Sequence, residues 1–521
     1  MGKFQDLGIG TGMTTSGSTD QWLGRARQAV WSGANGVRTS WPLVLLSALL
    51  VALAVPAALL VAPGFLGPEP PAPAPPAPAW QQVPTALSPV PGLAPPDGSA
   101  PVPLASTVSA QLEPLLKADG GGTFTALVQD ALTGQVLFDR GGSEARVPAS
   151  NMKLLAAVAA LRALGPEHRF ATQAVAGPAP GQVVLVGGGD VLLGPGGSAP
   201  EQVMGHAGLA TLAAQAVEAL QEGGAAGEIK VLVDDSLFSG PALNPAWASG
   251  DVAAGEVAPV YPLALNSARY DPAVTTGPRP QDAAMTAAEE FAARLRTEGA
   301  AAGLTVAAAV ERRPQAGTTA PAGPEGEGTS QPVVLGEVQS ATVAEQVNLM
   351  LQDSDNYLAE ALGRLTALAD GLPGSSDGAT AAVGAQLAAA GLAAEGMKLV
   401  DVCGLAMGNL VPARQFSEVV RAITSGTDTR LRAALDGFPV AGLSGTLDTR
   451  YGDAATARGA GLVRAKTGTL NTVLALSGYV VDADGRLLVF SFIGNGLTPG
   501  AAGNKEALDR AATALAGCGC R

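Results

Sequence analysis

The pattern of apolar and polar positions downstream of residue 103 predicts a folded portion that contains both helices and strands. Alternation in residues 123–139 (TFTALVQDALTGQVLFD) predicts two strands joined by a short turn. The Ala- and Leu-rich run at residues 147–164 predicts a buried helix, and helical periodicity returns at residues 343–368. Three strand-like segments near the C-terminal end, LVRAKTGT, TVLALSGYVVD and RLLVFSFIGN, are followed by a closing helix at residues 501–515.

Residues 181–334 have a different pattern. Short apolar runs such as GQVVLVGG and EIKVLVDDSLF predict several strands, and only residues 284–298 predict a helix. Residues 311–333, rich in Gly, Pro and Thr, predict a loop. We therefore expect this region to be mostly β.

An uncharged apolar run at Trp41–Ala62 is long enough to span a bilayer as a helix. Arginines lie on its N-terminal side, and basic residues beside a membrane span favour the cytoplasmic side. This predicts that residues 1–40 form a cytoplasmic tail and that the body of the protein lies outside the cell membrane. We expect residues 41–66 to be a single-pass membrane anchor. The alternative is a cleaved signal, cut at an A-x-A site such as residues 77–79, which would make the protein secreted.

Residues 67–103 contain 14 prolines and predict a semi-rigid extended linker.

The composition of the chain argues against several classes of function. The 521 residues carry a net charge of −14, which argues against a nucleic-acid partner because such a partner needs a basic face. The chain has two histidines, His168 and His206, far apart in sequence. This excludes a His-rich metal site and makes a Ser-His-Asp hydrolase unlikely. We expect no metal and no cofactor, and a hydrolase with this composition would need a base other than histidine.

One of the seven lysines, Lys153, follows Ser150 by three positions at the start of the predicted buried helix. Residues i and i+3 share one face of a helix, so the amine is able to reach the hydroxyl. A serine hydroxyl is a weak nucleophile until a base removes its proton, and a lysine with a lowered pKa is such a base. The spacing predicts a nucleophile and its general base, although an isolated S-x-x-K is expected about once by chance in a chain this long.

Two further short motifs have the chemistry of a substrate site. Ser354-Asp355-Asn356 offers a hydroxyl for proton relay and an amide for a substrate carbonyl, although these three residue types are also common helix caps. Lys466-Thr467-Gly468-Thr469 lies on a predicted strand edge, where glycine permits close approach of a substrate backbone. The lysine and the hydroxyls of this second motif are suited to binding a carboxylate.

In this order the three motifs resemble the S-x-x-K, S-D-N and K-T-G signature of penicillin-binding proteins and class A β-lactamases. About 200 residues separate Ser150 from Ser354, and this gap resembles the insertion of the low-molecular-mass class C penicillin-binding proteins, the S13-type D-alanyl-D-alanine carboxypeptidases/endopeptidases. The resemblance extends from about residue 104 to residue 515. Further segments that carry it are Gly187-Gly188-Gly189-Asp190, Val233-Asp234-Asp235-Ser236-Leu237-Phe238, Ala359-Glu360 and Ser444-Gly445-Thr446-Leu447. Cys403 and Ala406 depart from it, because they stand where the family often has serines in D-G-S-G-L-S.

The resemblance implies a mixed α/β fold. A transpeptidase/β-lactamase-like domain of helices and antiparallel sheet would be formed by residues 104–176 and 335–521, and residues 177–334 would be a large, mostly-β insertion.

The resemblance also implies roles for the motif residues. Ser150 would attack the penultimate D-Ala of a peptidoglycan stem peptide, Lys153 would take its proton, and Ser354 would pass a proton to the leaving amine with support from Lys466. The backbone N–H groups of Ser150 and Thr469 would form the oxyanion hole. The residues that would bind substrate are Asn356, Lys466, Thr467, Gly468 and Thr469. Penicillins would enter the same route as inhibitors whose acyl-enzyme clears slowly. The rival functions are a β-lactamase or esterase on the same fold, and a catalytically inert wall-binding protein.

Overall fold

The computed structural model describes residues 49, 50, 52, 97–313, 332–392 and 396–519. The described residues from 97 onward belong to one compact unit. Within the described part, no helix combines the length and apolar character needed to cross a bilayer. The predicted cytoplasmic tail, nearly all of the predicted anchor and most of the predicted linker lie outside these residues.

Twelve strands and ten α-helices are described, together with short 3-10 helices. The strands are β1 (Thr123–Asp130), β2 (Val136–Arg140), β3 (Ala145–Arg146), β4 (Ala171–Ala176), β5 (Gln182–Val186), β6 (Glu228–Asp234), β7 (Thr305–Arg312), β8 (Val334–Gln339), β9 (Val411–Pro412), β10 (Arg464–Leu470), β11 (Val473–Val481) and β12 (Leu487–Asn495). The helices are α1 (Ala105–Leu112), α2 (Met152–Ala163), α3 (Leu209–Glu222), α4 (Ser249–Ala254), α5 (Ala283–Ala301), α6 (Val343–Asp353), α7 (Asn356–Ala369), α8 (Ser376–Ala389), α9 (Ala413–Ser425) and α10 (Ala502–Ala516). The 3-10 helices are Ala149–Asn151, Thr429–Gly437, Gly445–Leu447 and Ala457–Gly459.

The first sheet has five strands in the order β10-β11-β12-β1-β2, and every pair in it is antiparallel. Side chains alternate between its two faces, as the period of a strand requires. Along β12, Phe490 and Phe492 enter the core under α1 and α10, whereas Val489 and Ile493 enter the core that includes α2 and α9. Because β1 pairs with β12, the two ends of the folded portion form one domain, and the predicted hairpin and C-terminal strands are confirmed.

Helix α2 lies at the centre of the helical layer. Its residues from Met152 to Leu161 are all buried, and it packs against α6, α7, α8 and α9. A helix that is apolar on all sides is stable only when it is enclosed. The predicted buried helix is therefore confirmed, and the residues at its start are held by the surrounding core.

The second sheet has the order β7-β6-β5-β4-β8, with parallel pairing of β5 with β6 and of β6 with β7. The prediction of a mostly-β insertion is wrong, because α3 and α5, of 14 and 19 residues, pack against this sheet. A parallel pair requires a crossover, and α3 and α5 supply the crossovers of the two parallel pairs. Since β4 and β8 belong to this sheet, the inserted sheet begins at Ala171 and ends at Gln339, slightly beyond the predicted boundaries.

Candidate active site

Ser150 lies in the 3-10 turn that leads into α2, and it is half-buried. The residue before it, Ala149, has a φ of +48°, an uncommon conformation for a residue with a side chain. Glycines pack against this turn from two sides. A Cβ on Gly404 would lie 2.5 Å from the Ala149 carbonyl carbon, and a Cβ on Gly468 would lie 3.0 Å from the Ala149 Cβ. The close packing around Ala149 therefore determines the position of Ser150.

Lys153 is fully buried, and its Nζ has three partners. It lies 3.0 Å from Ser150 Oγ, 2.6 Å from Asn356 Oδ1 and 2.7 Å from the Cys403 carbonyl oxygen. Burial lowers the pKa of Lys153, although nearby acidic groups, Asp401 among them, oppose this effect. A neutral amine has two N–H bonds and one lone pair. The amide and carbonyl oxygens accept the two N–H bonds, so the lone pair is left for the Ser150 hydroxyl proton.

The Ser354-Asp355-Asn356 motif divides the predicted helix at residues 343–368 into α6 and α7. Ser354 ends α6 in the left-handed conformation, with φ +58°, and Asp355 caps α7 by accepting from Leu358 N at 3.0 Å. The residues of this motif cap the helices, as their types predict, and two of them also contact the two lysines. The break places Ser354 Oγ beside Lys466 while Asn356 Oδ1 contacts Lys153.

Lys466 lies on β10, which is an edge strand of the first sheet, as predicted. Its buried Nζ donates to Ser354 Oγ and to the Thr467 carbonyl oxygen, both at 2.9 Å. Burial and the charge of Lys153 hold the pKa of Lys466 well below its ordinary value. The structure therefore contains two serine–lysine pairs, and the charge of Lys153 contributes to the lowered pKa of Lys466.

The remaining residues of the K-T-G-T motif continue along β10, and Gly468 among them packs against the turn that carries Ser150. Thr467 Oγ1 lies 2.7 Å from Thr446 Oγ1, within the Ser444–Leu447 segment that carries part of the family resemblance. Thr469 is exposed on the same strand, while Gly468 packs against the nucleophile turn. The structure thus brings all eight predicted site residues to one place, with the hydroxyls of Thr467 and Thr469 at the edge of the sheet.

The insertion supplies contacts to this site that local sequence patterns did not predict. Ser267 Oγ donates to Asp355 Oδ1 at 2.9 Å, and Arg269 forms a buried ion pair with Asp355 at 2.9 Å. Asn356 Nδ2 donates to the Glu256 carbonyl oxygen at 3.0 Å. These partners lie about 90–100 residues away along the chain, so the only signal for them was the likeness of the whole region to the family.

Behind Lys153 lie two carboxyl groups and a thiol, those of Glu360, Asp401 and Cys403, which place potential metal ligand atoms within 4.8 Å of one another. Asp401 is already saturated, because its carboxylate accepts from Gly404 N at 2.8 Å, Ala406 N at 2.7 Å, Asn409 Nδ2 at 2.7 Å and Trp247 Nε1 at 2.9 Å. Burial raises the pKa of the Cys403 thiol, which keeps it protonated. The cluster is therefore organised as a hydrogen-bond network that holds residues 401–406.

This fold and site define a class of acyl-transfer enzyme in which a serine is paired with a lysine in place of histidine. The chain belongs to the D-Ala-D-Ala carboxypeptidase 3 (S13) family, whose model matches residues 108–315 and 278–515. The resemblance drawn from the three motifs is therefore confirmed.

Relatives and solved structures agree with this assignment. Carboxypeptidase Rv3627c of Mycobacterium tuberculosis is 36% identical over 419 residues, which are 80% of this chain and 85% of that protein. Carboxypeptidase DacB of Mycolicibacterium smegmatis is 36% identical over 402 residues, which are 77% of this chain and 81% of that protein. The crystal structure of penicillin binding protein 4 from Haemophilus influenzae has the same fold, with a TM-score of 0.58, 20% identity, and coverage of 79% of this chain and 98% of that one.

Proposed function

We propose that this chain is a serine DD-peptidase that cleaves the terminal D-Ala of peptidoglycan stem peptides through an acyl-enzyme on Ser150. The contact of the buried Lys153 Nζ with Ser150 Oγ at 3.0 Å is the observation that carries the proposal. It is supported by membership of the D-Ala-D-Ala carboxypeptidase family and by the names of the two mycobacterial relatives, which are carboxypeptidases.

In the first half of the reaction, Ser150 Oγ attacks the carbonyl carbon of the penultimate D-Ala while Lys153 takes the hydroxyl proton. The backbone N–H groups of Ser150 and Thr469 stabilise the oxyanion. When the tetrahedral intermediate collapses, Ser354 delivers a proton to the departing amine and is reprotonated from Lys466. The C–N bond breaks, D-Ala leaves, and an ester on Ser150 remains.

In the second half, water attacks the ester carbonyl, and the proton it releases passes through Ser354 to restore Lys466. The ester C–O bond breaks, Lys153 returns its proton to Ser150 Oγ, and the shortened peptide leaves. Asn356 holds the substrate amide, Lys466 and the hydroxyls of Thr467 and Thr469 hold the terminal carboxylate, and Gly468 lets the substrate backbone approach β10. A penicillin opens its ring on the same serine, and its acyl-enzyme hydrolyses slowly. Inhibition of this kind is consistent with the solved complex of the Haemophilus protein with a β-lactam.

The test is mass spectrometry of the chain after incubation with benzylpenicillin, then with a muropeptide that ends in D-Ala-D-Ala. We expect one stable adduct on Ser150 and release of D-Ala. Ser150→Ala should lose both, whereas Ser143→Ala, which removes an exposed hydroxyl seven residues earlier, should retain both. Rapid turnover of the penicillin would instead identify a β-lactamase, and an absence of any adduct would identify a non-catalytic wall-binding protein.

We also propose that the catalytic domain is held outside the cell membrane by the apolar run at Trp41–Ala62. The support for this location is the length of the run and the arginines that precede it. Cell fractionation and N-terminal sequencing of the mature protein test the proposal. A soluble product that begins near Trp80 would show that the segment is a cleaved signal.

A further inference from the structure

Glu360 lies on α7 one turn after Asn356, and its side chain is completely buried. Its Oε1 atom accepts two backbone hydrogen bonds, from Val402 N at 2.8 Å and from Cys403 N at 2.9 Å. These two peptide units belong to the segment that passes directly behind Lys153. A buried carboxyl group thus connects α7 to the segment that holds the general base.

The same segment presents the Cys403 carbonyl oxygen to Lys153 Nζ at 2.7 Å. The other fixed acceptor of that amine is Asn356 Oδ1, at 2.6 Å. Helix α7 therefore contributes to both acceptors. Asn356 is a direct contact, and Glu360 fixes the Cys403 N–H, next to the 403–404 peptide that carries the carbonyl and whose Gly404 N–H donates to Asp401 Oδ1 at 2.8 Å. A change in the backbone torsions of Cys403 would turn its carbonyl away and leave an N–H bond of the amine without its acceptor.

We propose that Glu360 is a positioning residue for Lys153, because its reach to the 402–403 main chain orients the Cys403 carbonyl and thereby aims the amine lone pair at Ser150. The inference rests on the acyl-serine function proposed above, and it assigns Glu360 a role that none of the three signature motifs contains. Glu360 touches neither Ser150 nor Lys153 through a hydrogen bond, so it acts only through the backbone it holds.

The charged surroundings are consistent with this role. Burial and the neighbouring Asp401 raise the pKa of Glu360 to about 7, against the opposing effects of the hydrogen bonds from Val402 and Cys403 and of the charge of Arg364. Its Oε2 atom has no hydrogen-bond partner among the described residues. At neutral pH such a carboxyl group is about half-protonated, so it holds the two N–H groups while placing on average less than a full negative charge beside Lys153, where such a charge would favour the protonated amine.

Two substitutions at Glu360 distinguish an effect of side-chain length from an effect of ionisation. Glu360→Gln keeps the length of the side chain and one carbonyl oxygen, but it cannot ionise. Glu360→Asp keeps the carboxyl group and withdraws it by one methylene from Val402 N and Cys403 N. If position is what matters, Glu360→Asp should slow acylation by roughly tenfold to a hundredfold, since misplacement by about 1 Å has effects of this size. Acylation of the Glu360→Gln variant should be at least roughly fivefold faster than acylation of the Glu360→Asp variant.

A matched control is available at Asp482, in the turn between β11 and β12. Its carboxyl is also buried, its Oδ1 also accepts two backbone N–H groups, from Asp484 at 2.9 Å and Arg486 at 2.8 Å, and its Oδ2 also lacks a partner among the described residues. Asp482→Asn and Asp482→Glu therefore report what an equivalent change does to the fold alone.

The measurement is the first-order rate of acylation of the full-length chain by a fluorescent penicillin, at saturating concentration and from pH 5 to pH 10. For Glu360→Asp we expect a lower maximal rate at an unchanged half-saturating concentration. We also expect its pH midpoint to move upward, because a loosened pocket admits water and returns the pKa of Lys153 toward its ordinary value. The Asp482 variants should show neither change.

The inference is overturned if Glu360→Asp acylates with the rate and pH midpoint of the Asp482 variants, or if Glu360→Gln is slower than Glu360→Asp. The second result would show that ionisation, and not reach, is what Glu360 contributes. A wild-type chain that forms no adduct on Ser150 would overturn the proposed function itself, which is a separate outcome because it does not depend on any Glu360 variant.

Discussion

Substitution of Gly404 by alanine tests whether packing against the nucleophile turn determines the rate of acylation. Gly404 has a φ of +89°, so a side chain there is strained by about 1–2 kcal/mol whatever surrounds it. The added Cβ would also overlap the Ala149 carbonyl oxygen, and it would lie 2.5 Å from the Ala149 carbonyl carbon and 3.0 Å from Ser150 N. Carbon atoms in contact are about 3.5–4.0 Å apart, so the 149–150 peptide must retreat by about 1 Å.

This displacement moves two proposed catalytic groups together, because the same peptide carries the Ser150 N–H and positions the Ser150 hydroxyl. Misplacement by about 1 Å can lower a rate about a hundredfold, and loss of one oxyanion donor lowers it by about a hundredfold to a thousandfold. We therefore expect Gly404→Ala to acylate at least about a hundredfold more slowly than wild type.

The assay compares second-order rate constants for a fluorescent penicillin with free energies of unfolding measured by denaturant titration. Gly371→Ala is the control, because Gly371 has a φ of +73° and a Cβ there would meet nothing within 4 Å. Both variants carry the cost of a side chain at positive φ, and Gly404→Ala should lose further stability because its Cβ overlaps the 149–150 peptide. Only Gly404→Ala should lose its acylation rate. If the two variants acylate at equal rates, the packing of Gly404 does not control the position of Ser150.

Three further predictions concern the lysines and the chemistry. Burial lowers the pKa of Lys153, so in the folded state this amine is neutral at pH values at which it is still protonated in the unfolded chain. The free energy of unfolding should therefore rise with pH from the lowered pKa to about 10.5, and denaturant titration should show a smaller rise in Lys153→Met. Lys466→Met should lower kcat/KM on a D-Ala-D-Ala peptide by about tenfold to a few hundredfold and remove most of the preference for a free over an amidated C terminus, since a hydrogen bond to a charged group contributes about 1.5–3 kcal/mol. Equal loss on the amidated peptide would show that Lys466 acts only through proton transfer to Ser354 and does not bind the carboxylate. Release of D-Ala should be unchanged by EDTA, because the proposed steps need only side-chain proton transfers; a loss of activity that zinc restores would refute this.

The sequence alone was sufficient for the features that depend on near neighbours in the chain. The spacing of Ser150 and Lys153, the apolar character of α2 and the alternation in β10, β11 and β12 are local patterns, and the structure confirms the elements they predicted. The three motifs also identified the family, because their residue types and order carry the chemistry. The helical spacing of apolar residues in α3 is also present in the sequence, but the prediction did not separate this Ala-rich segment from the strand-like runs around it.

Only the tertiary structure decided how distant segments complete the site. The contact of Lys153 with Asn356 joins residues 203 positions apart, and that of Lys466 with Ser354 joins residues 112 positions apart. The ion pair of Arg269 with Asp355 and the support of Cys403 by Glu360 likewise arise only when the insertion and the helices pack together. The physical reason that these features are not local is burial. Burial shifts the pKa of each lysine and favours hydrogen-bond partners for buried polar groups. Neither the burial of a residue nor its distant partner can be deduced from a short stretch of sequence.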